Sequence, residues 1–251
     1  AGMREATISL DSLEPAKQDA ITGVEGSWHK IIKAVSCFSR ILPLKKSILG
    51  INIVVCRQNL EEIQNLIRFV TEIGFYASLI PIHVATTAEP GFIIRKDAPE
   101  FAFRQADFKL IDKTYKKIID MKKMGYQIYN SYKFLRNSPA FLKGKRVLWQ
   151  CDSPYLYFAI SPSGNFLPCV DIKTSESMLD DNFVNLYNSR EFRRKIDDIV
   201  KKCPGCFYAC WPEMTFLCRD PLVFIERIHF SIKACLRIRK PVTYVNCLNV
   251  I

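Results

Sequence analysis

The chain reads as an α/β protein followed by a small, cysteine-rich α+β domain, and three observations carry that reading. Apolar, strand-like runs alternate with helix-length segments over the first third of the sequence. The cysteines of the C-terminal half fall at metal-ligand spacings. Between the two regions lies a basic link, Lys143-Gly144-Lys145-Arg146, so domains are expected over 1–142 and 146–251.

The first strand is expected at 6–10, followed by a helix from about 27 to 42. A second strand at 48–55 leads to a helix at 60–73 and a third strand at 75–83. Strands joined through helices of this length imply right-handed crossovers and a parallel sheet. In Asn59-Leu60-Glu61-Glu62 the asparagine suits an N-cap and the carboxylates suit the positive helix end, while Gly74 supplies the left-handed residue that ends the helix. An irregular stretch is expected at 86–102. Phe108, Ile111, Tyr115, Ile118, Ile119 and Met124 then share the face of a helix at 107–124, closed by Gly125. A short strand at 126–129 and a helix at 131–142 complete the first region. Near the C-terminus, 222–238 is apolar but broken by Glu226, Arg227, Lys233 and Arg237, which fits an amphipathic helix and not a membrane span. The opening residues, Ala1-Gly2-Met3-Arg4-Glu5, read like the end of a helix running into a strand, so the chain is expected to be a piece of a longer protein.

With 251 residues, of which 49% are hydrophobic, the chain can bury a substantial core and is not of the disordered class. Its net charge of +11 is spread along helical stretches without a dense basic block. No nucleic-acid module accompanies it, so the charge reads as a solvated basic surface, with neither a nucleic acid nor a membrane as the expected partner. Ten cysteines in a chain without the look of a small secreted scaffold read as reduced metal ligands in a cytoplasmic protein.

The cysteine spacing is the strongest chemical signal. Ser161-Pro162-Ser163-Gly164-Asn165 reads as a turn between apolar runs at 155–160 and 166–170, a hairpin whose open end brings Cys151 near Cys169. Cys203, Cys206 and Cys210 follow in Cys-Pro-Gly-Cys-Phe-Tyr-Ala-Cys, where the first pair forms a knuckle able to aim two sulfurs at one centre. Thiolates are the soft ligands of iron–sulfur clusters and of zinc, and the spacing suits either. Cys151, Cys169, Cys203, Cys206 and Cys210 are therefore candidate ligands of one centre. Asp152, Trp149, Tyr155 and Trp211 are expected to pack around the centre, and Cys37, Cys56, Cys235 and Cys247 to act as small core residues. His29, His83 and His229 lack paired ligand spacing; His83 follows the third strand and is placed to touch a substrate.

Ala6-Thr7-Ile8-Ser9-Leu10-Asp11-Ser12-Leu13, with Ala20-Ile21-Thr22-Gly23 after it, resembles the fourth strand and next helix of radical S-adenosylmethionine enzymes of the molybdenum-cofactor cyclase type. Ile51-Asn52-Ile53-Val54-Val55 with Asn59-Leu60-Glu61-Glu62-Ile63 resembles the strand and helix that follow, and the cysteine series is similar to the auxiliary-cluster extension called SPASM, or its shortened twitch form. The resemblance implies the C-terminal portion of a partial (β/α)6 TIM-type barrel followed by a SPASM/twitch domain. It implies an oxidoreductase that uses S-adenosylmethionine and a four-iron four-sulfur cluster to generate a 5′-deoxyadenosyl radical, which abstracts hydrogen from a peptide or small metabolite. By carry-over, Ser9, Asn52 and Ile80 would contact S-adenosylmethionine. Electrons would come from an external flavodoxin- or ferredoxin-type donor.

The sequence departs from the family in three places. The radical-generating Cys-x3-Cys-x2-Cys is absent and is expected before residue 1, together with a second four-iron four-sulfur cluster, so this chain alone is expected to be inactive. Ile21 stands where maturase-type members carry an arginine. The run Cys203-x2-Cys206-x3-Cys210, then Cys218, is too short for the two auxiliary clusters of a full SPASM domain, so the resemblance implies one, held by Cys151, Cys169, Cys203 and Cys206 with Cys210 competing for the fourth place. From the residues alone, the competing reading is a non-catalytic zinc-thiolate module that binds a protein or nucleic acid.

Overall fold

The computed structural model describes residues 2–84, 98–147, 149–203 and 205–251, so most of the stretch expected to be irregular lies outside it. Strands β1 (Glu5–Ser9), β2 (Ile48–Val55) and β3 (Tyr76–Pro81) pair in parallel and in sequential order. Ser9 lies opposite Asn52, Asn52 opposite Ser78, and Val54 opposite Ile80. Helices α1 (Pro15–Thr22), α2 (Ser27–Ile41) and α3 (Ile63–Glu72) fill the crossovers.

The two-residue period of the strands decides which face is covered. On β2, Leu49, Ile51, Ile53 and Val55 are buried in one core with Ile32 and Val35 of α2 and with Leu66, Ile67 and Val70 of α3. The alternate residues Ile48, Gly50, Asn52 and Val54 stay half-buried on the opposite face. Helix α4 (Phe108–Lys123) extends the same core through Ile111, Tyr115 and Ile118. The result is α/β with the crossover helices packed on one sheet face. Among the described residues the sheet has three strands and does not close into a barrel.

Two local departures from the expected elements have identifiable causes. The strand expected at 126–129 is reduced to one parallel bridge between Ala77 and Ile128. Beyond it the buried Asn130 side chain takes the place of a strand, accepting from Leu79 N at 2.6 Å and donating to Leu79 O at 3.0 Å. Helix α3 starts at Ile63, because Asn59 is not its cap. The Asn59 amide instead accepts from Cys56 N and donates to Val54 O and Asp11 O, tying the ends of β1 and β2 together. Gly74 and Gly125 do end α3 and α4 in the left-handed region, at φ +83° and +96°.

Helix α5 (Tyr132–Leu142) leads into the cysteine region, where the hairpin β4 (Ala159–Ile160) and β5 (Phe166–Leu167) packs on α6 (Phe183–Asn188) and α7 (Arg190–Lys201). Phe166, Phe183, Phe192 and Ile196 form that small core. Helix α8 (Cys210–Arg219) and α9 (Pro221–Leu236) return to α5 through Phe134, Phe207, Phe216 and Val223. The last helix, α10 (Tyr244–Val250), packs against α2 and places Cys247 in the first core. Of the cysteines expected as core residues, Cys56 and Cys247 are buried, whereas Cys37 and Cys235 are exposed.

Helix α9 is amphipathic but turned with its charged face inward. Glu226 pairs with Lys122 at 2.9 Å and accepts from Tyr132 N, and Arg227 pairs with Glu213 at 3.5 Å. Leu222 and Leu236 are 78% and 77% exposed. Buried polar groups require partners more strictly than surface leucines require burial, which sets the rotation of the helix. No helix among the described residues is long and apolar enough to cross a membrane.

The buried Asp11 accepts from Val54 N at 2.7 Å, and its desolvation raises the carboxyl to about 6. The folded chain therefore keeps this proton up to about pH 6, while the unfolded chain loses it near the ordinary 3.8, so stability falls as pH rises through that window. The full effect is on the order of 2–3 kcal/mol. In urea unfolding, Asp11→Asn is expected to flatten the pH dependence between 4 and 6 and to unfold later than the parent at pH 7. A parent whose stability rises over that window would contradict the assignment.

Candidate functional site

The hairpin positions the first two cysteines. Gly164 N donates to Ser161 O and Ser161 N to Asn165 O, both at 2.9 Å, and Gly164 sits at φ +81°, where a Cβ would lie 2.8 Å from the Leu179 side chain. Only glycine satisfies both the backbone and the contact. Pairing is confined to two residues on each strand, shorter than the apolar runs. Beyond the paired residues, Ser153 Oγ donates to Pro168 O and joins the Cys151 segment to the Cys169 segment.

The knuckle supplies the next two. Gly205, at φ +95°, turns the chain so that its N–H points at Cys203 Sγ, 3.4 Å away. Trp149 Nε1 donates to Cys206 O at 2.9 Å, fixing the second thiol to the segment before Cys151. Pro204 lies outside the described residues.

The four thiols feel one another. Burial pushes the Cys206 thiol up, and the charges of Cys151, Cys169 and Cys203 add to the shift. Cys169 is raised to about 11, by burial first, with Asp171, Cys203 and Cys151 contributing in the same direction. Cys210, an exposed residue on the first turn of α8, is raised by burial of its thiol without a contribution from any other sulfur. The mutual group is thus Cys151, Cys169, Cys203 and Cys206, gathered from both ends of the hairpin and from the knuckle.

As a donor set these four fit a thiolate-ligated cluster: soft, half-buried, and free of disulfides. Among the described residues no three His, Cys, Asp or Glu are placed to hold a metal ion. A bound cation would oppose the burial and sulfur charges that raise the Cys169 and Cys206 thiols and would draw their protons off.

Around the group, Tyr157 OH lies 3.6 Å from Cys151 Sγ and its ring stacks on Trp211 at 4.4 Å. Asp152 pairs with Arg219, which holds its carboxyl below the usual range. Tyr155 is turned away, bonded to Asp197 at 2.8 Å and half-exposed.

His83 joins the cysteine region to the sheet. Its Nε2 accepts from Phe207 N at 2.9 Å, so the ring proton must sit on Nδ1, which lies 2.8 Å from Pro81 O and donates to it. The ring stacks on Tyr208 at 3.7 Å and lies against Phe141 at 4.6 Å. Sequence reading places His83 at the strand end but misses this role, because nothing local marks Phe207 as its partner, 124 residues on.

The three residues matched to a cofactor contact share the open sheet face. Ser9 and Asn52 are adjacent in register, and Ile80 lies one step further along β3, beyond Ser78. Ser9 is exposed, and Asn52 and Ile80 are half-buried. Asn52 and Ser78 line a cavity of about 340 Å³ with Thr7, Gly50, Arg227 and Phe230, so α9 covers the start of this face and leaves its C-terminal end open.

No family model and no curated protein matches the chain. The functional reading therefore stands on the cysteine group, the sheet face and the link between them.

Replacing His83 by alanine removes the acceptor from Phe207 N–H and leaves a half-buried donor unpaired, a loss of about 1–3 kcal/mol. Urea unfolding followed by Trp149 fluorescence is expected to show that loss. A change below about 0.5 kcal/mol would mean that the imidazole does not hold the knuckle.

Proposed function

We propose that this chain is part of a radical S-adenosylmethionine oxidoreductase and carries one auxiliary four-iron four-sulfur cluster on Cys151, Cys169, Cys203 and Cys206. The observation that carries the reading is the gathering of four half-buried, disulfide-free cysteines near the end of β3, with the Cys151 and Cys169 segments joined by Ser153 and Pro168, and the knuckle tied to Trp149 and His83. The sequential order β1-β2-β3, with the crossover helices on one face, suits a segment of a (β/α)6 TIM-type barrel.

In this reading the open sheet face is the inner wall of the barrel. Ser9 and Asn52 offer polar groups to S-adenosylmethionine at the strand ends, and Ile80 offers an apolar contact. S-adenosylmethionine, if bound there and reduced by one electron, would split into methionine and a 5′-deoxyadenosyl radical able to take a hydrogen atom from a peptide or small-metabolite substrate. The cysteines that hold the radical-generating cluster are not among these 251 residues. A flavodoxin- or ferredoxin-type donor fits as the electron source, and a reducing, cytoplasmic setting suits free thiols.

The chain's own contribution is position and shielding. His83 and Trp149 hold the knuckle against the sheet end, Tyr157 approaches Cys151, and Phe207 stacks on Phe134 at 4.5 Å to keep water from the knuckle's inner side.

Anaerobic iron and sulfide analysis with an absorption spectrum tests the reading. About four irons and four sulfides per chain are expected, lost in the Cys169→Ala/Cys203→Ala double variant and kept in Cys210→Ser. A colourless protein with one zinc per chain would overturn the cluster and favour a structural thiolate module. Loss of iron in Cys210→Ser alone would move the fourth ligand.

A further inference from the structure

A cavity of about 340 Å³ lies between the end of β3 and the knuckle. Ile82 and His83 form its sheet side, Phe103, Phe108 and Phe141 an apolar wall, and Gly205 and Cys206 its far side. The rim carries Lys143, Lys145 and Arg146, and among the described residues no aspartate or glutamate lines it. Lys143 is committed to Asp112 at 2.7 Å, but Lys145 and Arg146 are exposed and have no ion-pair partner among the described residues. A strongly apolar interior under an unneutralised cationic rim is selective: it disfavours cations, gains little from neutral polar molecules, and suits an anion mounted on an apolar body.

The cavity of about 700 Å³ beneath α9 differs in kind. Its inward charges Lys122 and Arg227 are already paired with Glu226 and Glu213.

We propose that the cavity at the knuckle binds a carboxylate carried on an apolar, ring-sized body, with the ring among Phe103, Phe108 and Phe141 and the carboxylate at Lys145 and Arg146. Its volume is at the lower end of ligand pockets, which limits the bound part to about one side chain and its acid group. A free aromatic or branched acid and the C-terminal residue of a peptide share this chemistry. That the occupant is the substrate rests on the radical-enzyme reading; binding itself does not, because it needs neither iron nor S-adenosylmethionine.

Isothermal titration calorimetry on the whole chain without iron, at low salt, separates the cases. Phenylacetate and phenylacetamide test the charge, and Gly-Gly-Phe with its amide tests the peptide source. The acid of at least one pair is expected to bind about tenfold or more tighter than its amide, the free acid identifying a small metabolite and the tripeptide a chain end. Lys145→Glu/Arg146→Glu is expected to abolish that preference, while Lys33→Glu on the exposed side of α2 leaves it intact. Equal binding of acid and amide, no heat from either acid, or an unchanged preference in the double variant would overturn the proposal. Because iron content is measured separately, a cluster without acid binding refutes this site alone, and acid binding without a cluster refutes only the radical-enzyme reading.

Discussion

Between Pro81 O and Phe207 N–H stands one imidazole, and the placement of the cysteine region depends on it. The pairing fixes the neutral tautomer: Nδ1 donates toward the sheet, and Nε2 accepts from the knuckle. Stacking on Tyr208 and Phe141 leaves the ring no other orientation that keeps both bonds. Trp149, bonded to Cys206 O, and the Phe134–Phe207 stack hold the same turn from two further sides. The knuckle that carries Cys203 and Cys206 is thus referred to the end of β3.

A second constraint is the satisfaction of buried polar groups at the joins between elements. Glu213 accepts from Ser131 N, Glu226 accepts from Tyr132 N, and Lys133 pairs with Asp220. These contacts dock α8 and α9 onto the start of α5. Burial raises the Glu213 carboxyl, while Ser131, Arg227 and Lys122 oppose the rise. The orientation of α9 follows: its charges turn inward to meet these partners, and Leu222, Phe224, Ile225 and Leu236 are left outside.

Much of the architecture was legible in the sequence where the governing forces are local. The period of β2, apolar on both faces but continuous on one, locates the strand to the residue, and Gly74 and Gly125 mark the helix ends by their backbone freedom. Gly164 likewise marks the hairpin turn. What composition and spacing could not reveal are side chains used at long range. Asn59 has every local qualification for an N-cap, yet its amide bridges two strand ends; Asn130 substitutes for a strand that the pattern at 126–129 suggests. The same holds for the face that α9 presents, because Lys122 and Glu213 lie far from it in the chain.

The short path from Ile80 to His83 has a consequence for how such a protein can vary. Only Pro81 and Ile82 separate the apolar contact on the sheet from the residue that grips the knuckle. The span between the two proposed redox partners is therefore set by a few residues of extended chain. Insertions on the surface between Lys143 and Val147 can reshape what enters the cavity while that span stays constant. A deletion of one residue between Ile80 and His83 would instead reverse the side on which the imidazole emerges and separate the two halves electronically. Under the proposed function, substrate choice and electron-transfer distance would then be encoded in different stretches of the chain and could change independently.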